Sequence, residues 1–306
     1  MASSLISPLL TGQFTPTGQN RFTSTSTSLS ENGILLDFSF TVPENYDGSW
    51  DFLKDFFLTV SYRIGIGNGS AIQLISSCSV YSLLALSDYL AGVSMESTKF
   101  EAGKKARISG YVDTGYFEMR SNDALEVTLI YGGSVSSRPT FNIDFTISNV
   151  FTQTLLVMLK TYQSCSPTGA DQPYKNVLAV YYDSHTPTEK DAVIKDQLGN
   201  THAVSVPSAI AYSNSVGRFE FFTDFGELYK EPFQVSQDVT IKVPQNTSEG
   251  ADVAEILVVG LAFYPELLLA NASVSDSVRD SLLANIKESD SEKYKYLEYL
   301  GLGLDN

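Results

Sequence analysis

A chain of 306 residues with 43% hydrophobic and 18% charged residues has room for two cores of about 150 residues each, and it is too apolar to be disordered as a whole. Its formal charge of −15, from 20 Lys and Arg against 35 Asp and Glu, repels phosphate backbones and anionic headgroups, which argues against direct nucleic-acid binding. The aromatic content, 18 Phe and 17 Tyr against one Trp, leans toward strands, because flat rings pack well on a pleated surface.

Residues 1–30 read as an extended N-terminal arm. Met1-Ala2-Ser3-Ser4 lacks the basic start of a secretory signal. Thr15-Pro16-Thr17-Gly18-Gln19-Asn20 and Thr23-Ser24-Thr25-Ser26-Thr27-Ser28 show no periodic apolar face, so the segment has no core of its own. Its apolar residues, Leu5, Ile6, Leu9, Leu10, Phe14 and Phe22, are available to dock on a neighbour; a disordered terminus is the plain alternative. A first β half follows over 31–140, with strands expected at 34–42, 56–64, 71–75, 105–111 and 125–131. Gly65-Ile66-Gly67-Asn68-Gly69 lacks the G-x-G-x-x-G spacing of a phosphate loop and reads as a tight turn. From Val80 to Ala91 the chain is apolar on most sides and is closed by Gly92, which reads as one buried helix. The uncharged stretch 64–87 is broken by Asn68, Gln73 and several Ser and Gly, and makes a poor membrane span.

A second β half is expected over 141–266, with strands at 141–150, 154–162, 177–182, 216–222, 239–243 and 256–263, and with solvent-facing loops at 164–174 and 183–190. Its opening echoes the first half. Leu36-Asp37-Phe38-Ser39-Phe40-Thr41 recurs as Ile143-Asp144-Phe145-Thr146-Ile147-Ser148, and alternation places Leu36, Phe38 and Phe40 on one face, as it does Ile143, Phe145 and Ile147. Each copy is followed by a second strand-like run, Leu58-Thr59-Val60-Ser61-Tyr62 and Val157-Met158-Leu159-Lys160-Thr161-Tyr162. The echo suggests one β domain used twice. Residues 267–306 form a helical C-terminal tail. Ser277-Val278-Arg279-Asp280 resembles a capping box, Val278, Leu282, Leu283 and Ile286 keep helical spacing, and a second short helix is expected over 294–300.

Chemistry is hard to place. With only His185 and His202, both in polar sequence, there is little from which to build a nucleophile–base pair. No C-x-x-C or H-E-x-x-H occurs, and Glu44-Asn45-Tyr46-Asp47 and Asn122-Asp123 read as solvated turns rather than calcium loops. Paired carboxylates would suffice for glycoside hydrolysis, but nothing singles out one pair among 35 acids. The chain is therefore read as a non-enzyme with no catalytic, cofactor-binding or metal-binding residues and no cofactor. Cys78 and Cys165, one in each half, read as two buried small hydrophobes rather than a disulfide framework. The sequons at Asn68, Asn246 and Asn271 read as chance matches.

Each half over 31–266 has the size of an eight-stranded jelly roll. The expected fold is all-β: two tandem eight-stranded jelly rolls, a double jelly roll over 31–140 and 141–266, with a buried helix in the first half, the arm over 1–30 and the tail over 267–306. Two β halves that each open on a hydrophobic-Asp-Phe-Ser/Thr strand, a helix late in the first, a Ser/Thr-rich arm and a helical tail carry a resemblance. So does the run from Ala106-Arg107-Ile108-Ser109-Gly110-Tyr111 to Met119, followed by Leu125-Glu126-Val127-Thr128-Leu129. On these features the chain resembles the double jelly-roll major capsid proteins of tailless icosahedral viruses, and among them the smaller members from bacteriophages with an internal membrane. The resemblance implies a homotrimer whose six rolls make a pseudo-hexameric capsomer. It also implies an icosahedral shell of neighbouring capsomers, penton or vertex proteins and minor capsid proteins over the internal viral membrane, in a virion whose parts are made in the host cytoplasm. The chain lacks a basic amphipathic N-terminal helix suited to that membrane. Two other readings stay open: a phage vertex or receptor-binding protein, and a carbohydrate-binding β-sandwich.

Overall fold

The computed structural model describes residues 6–27, 30–31, 33–63, 71–91, 99–115, 117–118, 123–150, 159–165, 168–184, 192–195, 201–204, 220–224, 237–242 and 253–262, and the single positions 280, 283, 284 and 287. In chain order the strands are β1 (Ile6–Phe14), β2 (Arg21–Thr27), β3 (Ser30–Glu31), β4 (Gly33–Thr41), β5 (Phe56–Arg63) and β6 (Ala71–Ser79). Helix α1 (Val80–Ala91) is followed by β7 (Lys105–Val112), β8 (Phe117–Glu118), β9 (Ala124–Tyr131) and β10 (Ile143–Val150). The remainder is β11 (Leu159–Cys165), β12 (Asp171–Ser184), β13 (Ala192–Lys195), β14 (Thr201–Val204), β15 (Glu220–Asp224), β16 (Gln237–Lys242) and β17 (Val253–Ala262).

Period-two patterning builds the first half. Along β7 exposed and buried residues alternate without a break, and every second residue of β9 is buried. One sheet runs β1-β10-β4-β7; facing it, the run β2-β9-β5-β6 forms part of an 11-stranded sheet. Phe38, Phe40, Phe145 and Ile147 on the first sheet and Leu58, Val60, Leu125 and Leu129 on the second are all buried in one core. Edge-to-face pairs tie the layers, with ring centroids 4.8 Å apart for Phe22 and Phe145 and 5.0 Å apart for Phe14 and Phe56. With β1 beside β10, and the chain changing sheets between the other main strands except at the β5–β6 hairpin, the two layers have the connectivity of a jelly roll.

Two expectations are corrected. The arm expected over 1–30 is not free where it is described: β1 pairs along β10, β2 pairs along β9, and Leu9, Leu10, Phe14 and Phe22 are buried. An edge strand borrows its core from its neighbours, so the Ser/Thr run of β2 needs no apolar face beyond Phe22, and its Thr residues suit a strand. A bulge between Pro8 and Leu10 turns both Leu9 and Leu10 inward. Nor does the repeated motif open a second domain at 141. β10 lies between β1 and β4, with Ile143 opposite Phe40, Phe145 opposite Phe38 and Ile147 opposite Leu36. The two segments look alike because they are the two inner strands of one sheet and face the same core and the same solvent.

Helix α1 is buried from Val80 to Leu86, as expected. The Ser82 N–H donates to Ser79 Oγ (3.0 Å), which caps its start. The helix covers the outer edge of β7. A Cβ on Gly110 would come within 2.8 Å of Leu84 Cδ2, and the Tyr111 N–H donates to Ser87 Oγ at 2.9 Å.

The second half continues from the first. β6 pairs in parallel with β11, through Tyr162 opposite Ile75 and Gln163 opposite Ser76, and the path goes on as β17-β12-β16-β13-β14, with β15 also on β12. Here too, among the described residues, the first strand of the half, β11, lies beside the last, β17. Leu257 and Val259 of β17 join the core of the first half, while Ile256 and Val258 are buried on the opposite side. The loop expected at 164–174 is shorter, because β12 starts at Asp171; Pro173 lies where β12 pairs with β16 alone, so no second ladder needs its missing N–H. Near the C-terminus Asp280, Leu283, Ala284 and Lys287 are helical, and Leu283 is 1% exposed within the main core. Val278, Leu282, Ile286 and the run 294–300 lie outside the described residues.

Candidate functional site

Among the described residues no three His, Cys, Asp or Glu side chains converge. His202 lies on β14 opposite Ile194, and His185 falls outside the described residues, as does the turn 65–69. Cys78 and Cys165 are buried thiols, and burial pushes the Cys165 thiol up from its ordinary pKa. Glu44, Asn45 and Asp47 are exposed as expected. Asp123 is not: it is 1% exposed and accepts the Tyr62 hydroxyl at 2.6 Å, a donor that makes its burial tolerable. Among the described residues no helix is long and apolar enough to cross a membrane. What the fold does present is surface and seam.

The outer face of the sheet β1-β10-β4-β7 is the first element. Alternation sends Gln13, Asp144, Asp37, Arg107 and Lys105 outward from four adjacent strands. Gln13 Nε2 donates to Asp144 Oδ1 (2.6 Å), and Lys105 Nζ donates to Asp144 Oδ2 (3.2 Å). Arg107 grips Asp37 with two parallel bonds of 2.7 and 2.8 Å. The Gln13 bond, helped by Lys105, holds the Asp144 carboxyl below its ordinary pKa, and the hydrogen bond to Asp37 raises that of Arg107. Two acids and two bases cancel, so this face is locally neutral on a chain of charge −15. Its far end is more apolar, with Ile6 50% and Tyr111 39% exposed.

The second element is the clasp that holds the N-terminal turn. Arg138, just beyond β9, donates through Nη2 to the carbonyls of Thr15 and Gly18 (2.9 Å each) and through Nη1 to Asn20 Oδ1. Its guanidinium stands 4.5 Å from the Phe14 ring centroid and 5.6 Å from that of Tyr131.

The third is the seam between the halves. Lys160 Nζ meets Asp113 Oδ2 at 2.5 Å, the Lys160 N–H donates to the Thr114 carbonyl at 3.0 Å, and the Tyr162 hydroxyl donates to the Asp113 carbonyl at 2.7 Å. Burial, then the nearby Asp113, pushes the Tyr162 hydroxyl far above its ordinary pKa, so it is a standing donor. Arg138, Asp113 and Lys160 carry no local signal in the sequence, because each acts on partners far away along the chain.

No family model matches the chain, and no curated protein sequence does. Among solved structures it is similar to the major capsid protein of STIV, the Sulfolobus Turreted Icosahedral Virus, with 10% identity, a TM-score of 0.49, and coverage of 85% of this chain and 96% of that one. It is similar to the major capsid protein P2 from bacteriophage PM2, with 9% identity, a TM-score of 0.42 and coverage of 84% and 97%. The mavirus major capsid protein aligns with 12% identity, a TM-score of 0.25 and coverage of 85% and 87%.

Proposed function

We propose that the chain is a major capsid protein: a structural protein, not an enzyme, whose homotrimers form pseudo-hexameric capsomers of an icosahedral viral shell. One observation carries the reading. A jelly roll over 6–150 passes through the β6–β11 ladder into a second β half that again sets its first described strand beside its last. In this reading the second half completes a second eight-stranded roll, the segment after β17 is a docked helical tail, and the two rolls stand side by side as one unit. Three such units under closed three-fold symmetry supply six rolls around a ring, which is the geometry of a plate that tiles. The neutral outer face supports the same role, since matched charges leave little like-charge repulsion when subunits pack. The partners are then neighbouring capsomers, penton or vertex proteins and minor capsid proteins, above an internal membrane. In this reading the first roll takes in 6–150 rather than 31–140. Light scattering after size exclusion, with electron microscopy of the peak, tests the reading. Trimers seen as six-lobed plates are expected; a monomer at high micromolar concentration and physiological salt overturns it, and saturable sugar binding by that monomer would favour a carbohydrate-binding β-sandwich.

A further inference from the structure

Helix α1 and β7 do not stay in contact along their whole length. They touch at Gly110, where the absent Cβ admits Leu84, and at the bond from the Tyr111 N–H to Ser87 Oγ. Beyond that point a cavity of about 270 Å³ opens between α1, the end of β7 and β11. That is larger than the ~150 Å³ apolar cavity that takes up benzene. Leu83, Leu86, Val112 and the Tyr162 ring, all buried, make it apolar. The partly exposed Tyr111, Ser87 and Asp113 complete the lining. The Ser87 hydroxyl accepts the Tyr111 N–H and keeps its own proton for an acceptor in the cavity. The Asp113 carboxylate, tied to Lys160 Nζ and the Gly115 N–H, presents only acceptor oxygens and so gives an anion no donor.

We propose that this seam cavity binds a neutral small molecule with an apolar body and one hydrogen-bond acceptor, the acceptor resting on Ser87 Oγ–H. The class follows from the walls: apolar surface favours a ring or short chain, one free donor asks for one acceptor, and the carboxylate gives an anion no donor. Because α1 and β7 belong to the first half and β11 to the second, an occupant touches both sides of the seam. Binding to the folded chain alone raises its thermal midpoint.

The test uses the full chain and three probes of similar shape: quinoline, neutral with one acceptor; naphthalene, the same body without it; and 1-naphthoate, the anion. Equilibrium dialysis is expected to give saturable one-to-one binding of quinoline, naphthalene weaker by about fivefold, the effect of one ordinary hydrogen bond, and no naphthoate binding at the same concentrations. Ser87→Ala removes the preference for quinoline over naphthalene and leaves naphthalene unchanged. Leu86→Trp fills the space and weakens both neutral probes at least about tenfold. Should Leu86→Trp fail to fold in a thermal melt, the Ser87→Ala comparison decides alone. Equal binding of all three probes, no saturable quinoline binding, or a quinoline preference that persists in Ser87→Ala overturns the proposal.

Discussion

Arg138 is the residue whose loss is expected to be felt furthest from its own position. It satisfies two backbone carbonyls and Asn20 in the N-terminal turn while its guanidinium covers Phe14, itself wholly buried. Arg138→Met keeps much of the apolar stem but strands those acceptors, at an expected cost of about 2–4 kcal/mol in urea unfolding. Arg138→Lys is expected to recover little, since one ammonium cannot reproduce a planar fork laid on a ring. A second residue-scale expectation concerns alkali. Burial, with Asp51 and Asp47 nearby, raises the Tyr46 hydroxyl to about 12, and it donates to the Ser49 carbonyl at 2.6 Å. A folded pKa above the unfolded one stabilises the fold fully below the unfolded value and loses that contribution as pH rises through the folded value. Stability is therefore expected to fall between about pH 10 and 12, and Tyr46→Phe should flatten that fall; denaturant midpoints across the range would show no difference if Tyr46 is not responsible. Neither site was legible in the sequence. Arg138 meets its partners more than a hundred positions away, and Tyr46 stood in a run that reads only as a polar turn.

At the scale of elements, the sequence was clear where a strand carries its own apolar face and misleading where it borrows one. β7 and β9 alternate cleanly, β4, β5 and β10 alternate over part of their length, and α1 is apolar nearly all round, so pattern alone placed them. β2 is a Ser/Thr run with one Phe, and β1 hides its alternation behind a bulge; together they read as an arm. Removing residues 1–28 is accordingly expected to collapse the first roll rather than spare it, because it strips one of the two partner strands from each of β9 and β10 and removes four buried apolar side chains. Phe14→Ala isolates the packing part of that loss and should cost about 3–5 kcal/mol. An unchanged thermal midpoint in the truncated chain would return the segment to the status of an arm. The tail is the mirror case. Its helical spacing singled out Leu283 together with Leu282, and of these Leu283 is described and buried in the main core. Leu283→Ala is expected to lower stability by about 2–4 kcal/mol, while Ala284, exposed on the same turn, should tolerate Lys within about 0.5 kcal/mol.

For the whole molecule the sequence supported an all-β chain in two related halves, but it mistook what the resemblance between segments meant. Two inner strands of one sheet obey the same constraints as two copies of one strand, so Leu36–Thr41 and Ile143–Ser148 echo each other without marking equivalent positions in two domains. The relation between the halves lies instead in pairing: β1 beside β10, and β11 beside β17. Register of that kind is set by contacts distant in sequence, and composition cannot report it. The same topology makes the halves interdependent. β6 is hydrogen-bonded on its outer side by β11, and Leu159, Tyr162, Leu257 and Val259 sit in the core that the first roll builds. A fragment of residues 1–150 would thus present a bare β6 edge beside apolar surface meant for the second half, a template for pairing with other chains. Expressed alone it is expected to aggregate or self-associate, and supplying residues 151–306 in trans should suppress this. Size exclusion of the fragment with and without its complement reads the result. A monodisperse, cooperatively unfolding monomer of 1–150 would mean that the seam is a loose contact between independent domains, and the capsomer argued for here would then have to draw its stiffness from contacts between chains rather than from within each one.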